Sequence, residues 1–474
     1  MRCLLASILL IQGLVLTVVA DEPGVIALEN QREGSTDWQL SNIQIEVGTH
    51  RSRAIEGYCS QLSYHTGEEL TVFVSTAQAA TYRLDIYRMG YYGGRGARKV
   101  LSIDQLTGSP QPEPIKGERD LLACNWSPAF RMPIPTTWVS GVYLGKLSLS
   151  DNGPESYIVF VVRDSRQADL VVQVSDFTWQ AYNRWPRWNS LYDFGGSKWE
   201  TKRSNLIGMD RPYARYYNGL PMTEANATKV VGSGEFLMWE FPLVYFLERE
   251  GYDVTYLSNL DTHLRPHLLT RTKAFLSVGH DEYWTRQMHA NVTMARDTGV
   301  SLLFLSGNSV FGELSLSDAP DGRAHRVMSR NRWFPDEQQL MGATSYGVGL
   351  TDWTVVDDSH WLFEGTGMTN GDAIPSLVGW EYHGPPLRQD DSLTIVARGK
   401  VNDAAGNQLD KEYTALFYDG PLGNFVFNAA TCWWSLPLST PPGTVPAARG
   451  DFSQEDPRLQ QMTRNLLRRA IAEH

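Results

Sequence analysis

Three stretches of the chain end in side chains whose types and spacing suit catalysis or metal binding. The apolar run DLVVQVSD (169–176) leads into FTWQAYNRWPRWNSLYDF, which offers Tyr182 and Tyr192. The run AFLSVGH (274–280) delivers His280 and, beyond it, Asp281 and Glu282; SLLFLSGN (301–308) ends on Gly307 and Asn308. Open α/β sheets bind ligands just beyond the carboxyl ends of their strands, so three such ends can converge on one crevice. That crevice would offer phenols, carboxylates, an imidazole and an amide, a set suited to a hard metal ion or to acid–base catalysis. Each residue also has an ordinary reading. A carboxylate before a helix caps it, tyrosines in a Trp-rich loop pack, Asn after Gly makes a turn, and His280 can be a satisfied buried histidine.

Motifs narrow the chemistry. There is no Gly-x-Ser-x-Gly elbow of a serine hydrolase, no His-Glu-x-x-His and no Cys-x-x-Cys. His263 and His267 flank Pro266, which interrupts the helical face that a pair of zinc-binding histidines needs. Two-carboxylate glycoside hydrolysis stays open, with Glu282 paired to Glu381 or Glu240, and a Trp/Tyr-rich crevice suits sugar stacking. A non-catalytic extracellular binding protein is the reading from another class.

The elements that must position these groups fall into two regions. Residues 36–164 carry short alternating runs such as ELTVFVST (69–76), TYRLDIYR (81–88), GVYLGKLSLS (141–150) and SYIVFVV (156–162), which predict an N-terminal β-sandwich of immunoglobulin-like type. The Gly-rich GYYGGRGAR (90–98) has no helix after it and no Lys-Ser/Thr, so it reads as a long hairpin and not as a phosphate loop. From 166 to 474 nearly continuous apolar strands alternate with amphipathic segments, FLMWEFPLVYFLEREG (236–251) and YWTRQMHANVTMARDTG (283–299). Gly251 and Gly299 stop these helices. Buried strands between helices predict an α/β domain with a mostly parallel sheet. The later runs around NFVFNAA (424–430) complete the sheet, and PRLQQMTRNLLRRAIAEH packs on it as a C-terminal helix.

The 474 residues are 42% hydrophobic and 20% charged, the composition of a chain with a substantial core. Lys and Arg number 42 against 53 Asp and Glu, a net charge of −11 that argues against nucleic acid as a partner. Residues 1–20, MRCLLASILLIQGLVLTVVA, read as a secretory signal peptide cleaved before Asp21, which predicts a secreted or periplasmic protein. Export permits disulfides, and Cys59 with Cys124 is the candidate pair, leaving Cys432 free. Sequons occur at Asn125, Asn226 and Asn291.

A set of collinear strings then carries a resemblance: TDWQL (36–40), IEGY (55–58), DIYRMGYYGG (85–94), CNWSP (124–128), WQAYN (179–183), EREGYDVTYLSN (248–259) and FLSVGHDEYW (275–284). Over residues 36–470 the chain resembles the family of the large (beta) subunit of N,N-dimethylformamidase. The resemblance implies a flavodoxin-like, or class I glutamine amidotransferase-like, sheet in the second domain. It also implies a mononuclear ferric ion held by Tyr182, Tyr192 and Glu282, with His280 beside the ligands and Asn308 contacting substrate or water. Glu381, in LVGWEYH, would assist proton transfer. Two phenolates and one carboxylate balance Fe3+ and leave positions open for an amide carbonyl and water. The implied activity is hydrolysis of the C–N bond of a small linear amide, with a homo-oligomer or a small second subunit as further candidates.

Overall fold

The strand Glu69–Thr76 shows the rule that builds the N-terminal region: Leu70, Val72 and Val74 alternate along it and all three are buried. In the computed structural model, which describes residues 24–150, 152–193, 206–215, 226, 228–334, 337–388, 392–443 and 452–472, this strand lies between Ile55–Cys59 and Phe130–Pro133. A second sheet runs in the order Ser63–His65, Glu155–Arg163, Gly141–Leu149, Ala80–Met89 and Ala97–Gly108. The two sheets share a core that includes Leu84, Ile86, Tyr143, Ile158 and Phe160. Ala80–Met89 and Ala97–Gly108 pair antiparallel from Met89↔Ala97, so the Gly-rich segment is the hairpin expected of it. The expected signal peptide lies outside the described residues.

The same alternation corrects the disulfide. Tyr58 points out of its strand toward Cys124, Trp126 and Trp185, and these four form one buried cluster. Its neighbour Cys59 therefore points the other way, into the core between the sheets. Cys59, Cys124 and Cys432 are all free and buried.

The second region is organised by a seven-stranded sheet. In chain order its strands are β1 (Ala168–Val174), β2 (Val254–Ser258), β3 (Thr272–His280), β4 (Ser301–Gly307), β5 (Thr394–Asn402), β6 (Gln408–Asp419) and β7 (Phe425–Asn428). Their spatial order is β2-β1-β3-β4-β7-β6-β5. The first five in that order are mutually parallel, and the last two continue the sheet antiparallel. The parallel strands read as unbroken apolar runs because both their faces are covered. Val171, Leu257, Phe275, Leu302, Phe304 and Val426 join one core with Met288 and Val292 of the helix Arg286–Asp297. Leu170, Val172, Tyr256, Leu276, Leu303 and Phe427 join the opposite core, with Leu243 and Val244 of the helix Phe241–Arg249 and Met462 and Leu466 of the C-terminal helix Pro457–Ile471.

Helix boundaries follow local chemistry. Gly251 and Gly299 adopt φ of +81° and +102°, and the amides of Tyr252 and Val300 close back on the carbonyls of Leu247 and Ala295. Two expectations shift. The segment 236–251 is two helices, because Pro242 can occupy only the first turn of the second one. The segment 283–299 begins as a strand, Tyr283–Thr285, pairing parallel with Gly312–Leu314. Its helix starts at Arg286, where Thr285 accepts from the Met288 amide.

Candidate functional site

The carboxyl ends of β1, β3 and β4 bring the sequence-selected groups together. β1 leads into the helix Asp176–Tyr182, which ends on Tyr182. The chain then loops and returns, with the Leu191 amide donating to the Ala181 carbonyl at 2.9 Å. That return lays Tyr192 against Tyr182, ring centroids 4.9 Å apart and hydroxyls 3.0 Å apart. Arg211 pins the loop from inside: fully buried, it donates to the carbonyls of Gln180, Trp185 and Asn189 at 2.7–2.9 Å. Asp193, accepting from Ser190 and Arg184, fixes the far side of Tyr192.

Alternation along the segment leaving β3 sorts its three polar residues. His280 and Glu282 face the tyrosines. Asp281 points into the structure, where it accepts from Gln173, Ser277 and Asn259. Glu282 accepts from Tyr182 at 2.5 Å through Oε2 and from Tyr192 at 3.1 Å through Oε1. Its Oε2 also lies 3.3 Å from His280 Nε2, which lies 2.7 Å from Glu381 Oε2 on the strand Glu381–Pro386. Asn308 donates from Nδ2 to the same Glu381 oxygen at 2.9 Å. One continuous cluster therefore runs Tyr192–Tyr182–Glu282–His280–Glu381–Asn308. His280 and Glu282 are buried, while Tyr182 and Glu381 keep partial exposure and mark the side that solvent reaches.

Close approach at the β4 end makes this geometry available. A Cβ on Gly307 would come within 2.3 Å of the Glu381 carbonyl oxygen, so glycine lets the Glu381 strand cross there. Asn308 then takes φ +52°, a left-handed conformation that Asn tolerates better than most residues.

The electrostatics are those of crowded acids. Burial first, and then Glu282, hold the Tyr182 and Tyr192 phenols well above their ordinary range. Burial opposes a charge on His280, but Glu381 and Glu282 outweigh it and raise the imidazole well above its usual value. The donor set fits a cation. Buried phenols crowded by carboxylates stay protonated until a positive charge favours their anionic form, and all of Tyr182, Tyr192 and Glu282 present hard oxygens. His280, Glu282 and Glu381 form a second, overlapping group whose ligand atoms lie within 4.8 Å of one another.

Other sequence candidates lie elsewhere. Glu240 is buried against the Ser175 amide and the Trp179 indole N–H. The His263 imidazole bonds the Thr285 hydroxyl. Of the sequons, Asn125 is exposed, whereas Asn291 is buried and donates to the Thr262 and His263 carbonyls. The sequence reading missed several neighbours. Tyr283 donates to the Tyr192 hydroxyl, and its place directly after Glu282 was a usable signal. Arg330 stands over the Tyr192 ring at 5.1 Å, with nothing in sequence to announce it. Trp380 packs edge-on to His280 and stacks on Trp239. His383, two residues beyond Glu381, accepts from the Ser309 amide and donates to Asn428, clamping the turn that carries Asn308.

The parallel strands of the sheet thus end in a buried cluster of oxygen donors around one imidazole. The family model for the N,N-dimethylformamidase beta subunit-like C-terminal region matches residues 83–447, and the chain belongs to that family. The matched span starts inside the strand Ala80–Met89 and takes in every member of the cluster. Comparison with curated proteins finds no match.

Proposed function

We propose that this protein is a metal-dependent amide hydrolase whose ferric ion is held by Tyr182, Tyr192 and Glu282. The observation that carries this reading is the meeting of those three side chains through contacts of 2.5–3.1 Å. When bound, such an ion would polarise an amide carbonyl and acidify water. Glu381 takes a proton from the attacking water and delivers it to the nitrogen as the C–N bond breaks, releasing an acid and an amine. His280 and Asn308 orient Glu381 from two sides. The His280 imidazole stands between Glu282 and Glu381, where two-carboxylate glycoside hydrolysis would need the glycosidic oxygen, and this favours the amide reading over the sugar one.

The architecture behind the reading is an immunoglobulin-like sandwich over 36–164 and a flavodoxin-like layer over 166–474. The order β2-β1-β3-β4-β7 among the parallel strands supports it, because it is the doubly wound 2-1-3-4-5 pattern with the site near its switch point. The leader-like run at 1–20 supports a further part of this proposal, that the protein is exported, with Asp21 as its expected N-terminus.

Purified protein is expected to contain iron and to show a visible phenolate-to-iron absorption band, lost in Tyr182→Phe and in Tyr192→Phe. Colourless, iron-free protein by elemental analysis would remove the metal and the mechanism together.

A further inference from the structure

The fold gives His263 a neighbour other than His267. His263 stands near the end of the helix Asn259–Leu264, and Pro266 opens a separate short helix, Pro266–Leu269, that carries His267. The ring facing His263 belongs to His325, in the loop between the strands Gly312–Ser317 and Val327–Trp333. The two imidazole centroids lie 5.6 Å apart, with ring planes inclined at 63°, and both residues are half-buried. His263 Nδ1 lies 2.8 Å from the Thr285 hydroxyl oxygen. That oxygen already accepts from the Met288 amide, and its second lone pair can accept the imidazole Nδ1–H. Metal-binding histidines commonly make such an outer bond, and it leaves the lone pair of Nε2 open. Among the described residues, no hydrogen bond or ion pair uses His263 Nε2 or the His325 ring. Burial, and then His325, hold the His263 imidazole below its ordinary value, so it is neutral at pH 7, as a ligand must be. With zinc–nitrogen bonds of about 2 Å, two imidazoles on one tetrahedral ion hold their centroids about 5 Å apart. The observed 5.6 Å is within a small side-chain rotation of that spacing.

We infer that His263 and His325 form a second metal site, which takes one divalent transition-metal ion, zinc above all, with water completing its shell. This assignment is independent of the amide-hydrolase reading and differs from it in chemistry. The strand-end cluster offers hard oxygens, whereas an imidazole pair selects Zn2+, Cu2+ or Ni2+ over Mg2+ and Ca2+. The bound ion staples the loop that carries His325 to the helix Asn259–Leu264. That loop leads into the strand Val327–Trp333, whose Arg330 stands over Tyr192, so the staple anchors the strand at its start.

The test is equilibrium dialysis of the purified full-length protein against micromolar zinc, with bound metal counted by elemental analysis. His325→Asn and His263→Gln are each expected to lose one zinc equivalent, or to bind it at least about tenfold more weakly, since even an outer-shell partner is worth that much. Asn tolerates the left-handed φ of +57° at position 325, so that variant keeps the loop's backbone. Glu282→Gln, which alters only the strand-end cluster, should retain this equivalent, and any zinc taken by that cluster drops out of the comparison. Excess Mg2+ should leave the zinc in place. Unchanged zinc binding in both histidine variants overturns the assignment and makes the two rings a packing contact. Zinc-soaked crystals of the wild type supply a readout free of substitutions. An anomalous-scattering peak between the His263 and His325 rings is expected there, and a peak at the strand-end cluster alone, or no peak, overturns the site.

Discussion

Two buried polar clusters of similar size serve opposite ends. One joins the N-terminal region to the helix Phe241–Arg249. There Glu248 meets the Arg88 guanidinium through two contacts of 2.8 and 2.9 Å, and also accepts from Tyr256 and Asn30. Arg88 spends its remaining donors on Tyr92 and the Ser140 carbonyl. Charge is balanced and each strong group is matched. The other cluster, at the strand ends, gathers two carboxylates and three phenols around one imidazole, with Arg330 at its edge. It leaves Asn308 Oδ1 without a donor. The first has the balance of a structural joint. The second is short of positive charge, which is what the metal-site reading proposed above would supply.

The comparison breaks most severely at the joint. Glu248→Ala strands a buried guanidinium and should cost about 3–5 kcal/mol in urea unfolding, the usual penalty for removing one partner of a buried pair. A loss below about 1 kcal/mol would mean that the joint is not a stability element. The next effect is acidic. Burial pushes the His383 imidazole down to about 4, with its bond to Asn428 opposing. In the unfolded chain this histidine protonates near 6.5, so between pH 6.5 and 4 the unfolded state binds more protons. Its contribution is present above pH 6.5 and is lost as pH falls toward 4, amounting to about 3 kcal/mol. Unfolding curves at pH 7 and pH 4 should show that excess loss in the wild type relative to His383→Gln. Parallel curves for the two proteins would refute it.

How much of this was legible in the sequence follows from which signals are local. The strand ends at 174, 280 and 307 were readable because parallel strands are unbroken apolar runs, and Tyr182, Tyr192, His280, Glu282 and Asn308 lie in the segments that follow them. Glu381 stood in the sequence only as one of two candidate partners for Glu282, and its proton-transfer role needed the family resemblance, because it arrives from a separate strand that crosses β4 only where Gly307 leaves room. Arg211, Arg330 and His383 act through contacts distant in sequence, and no period or motif encodes those. The Cys59–Cys124 pairing failed for a more instructive reason. Cys124 clusters with Tyr58, but strand alternation turns the next residue, Cys59, away from Tyr58 and hence from Cys124. Asn291 shows the same limit, since a three-residue motif carries no information about burial.

The smallest effects sharpen the contrast at the site itself. If the cluster awaits a cation, adding ferric ion to chelated protein at a hundredfold excess over Kd should stabilise it by about 2.7 kcal/mol. Glu282→Gln should abolish that gain. Without metal, the same substitution has two opposing consequences. It weakens the bonds from the Tyr182 and Tyr192 hydroxyls, and it relieves burial of a carboxylate that shares His280 with Glu381. These are comparable in size, so the net change in chelated protein should stay within about 1 kcal/mol. Thermal or urea unfolding of the two proteins, each with and without iron, separates the terms. A loss in chelated Glu282→Gln as large as that of Glu248→Ala would make the strand-end cluster a structural joint as well, because a cluster built for a ligand owes its full stability to that ligand and not to its own internal bonds.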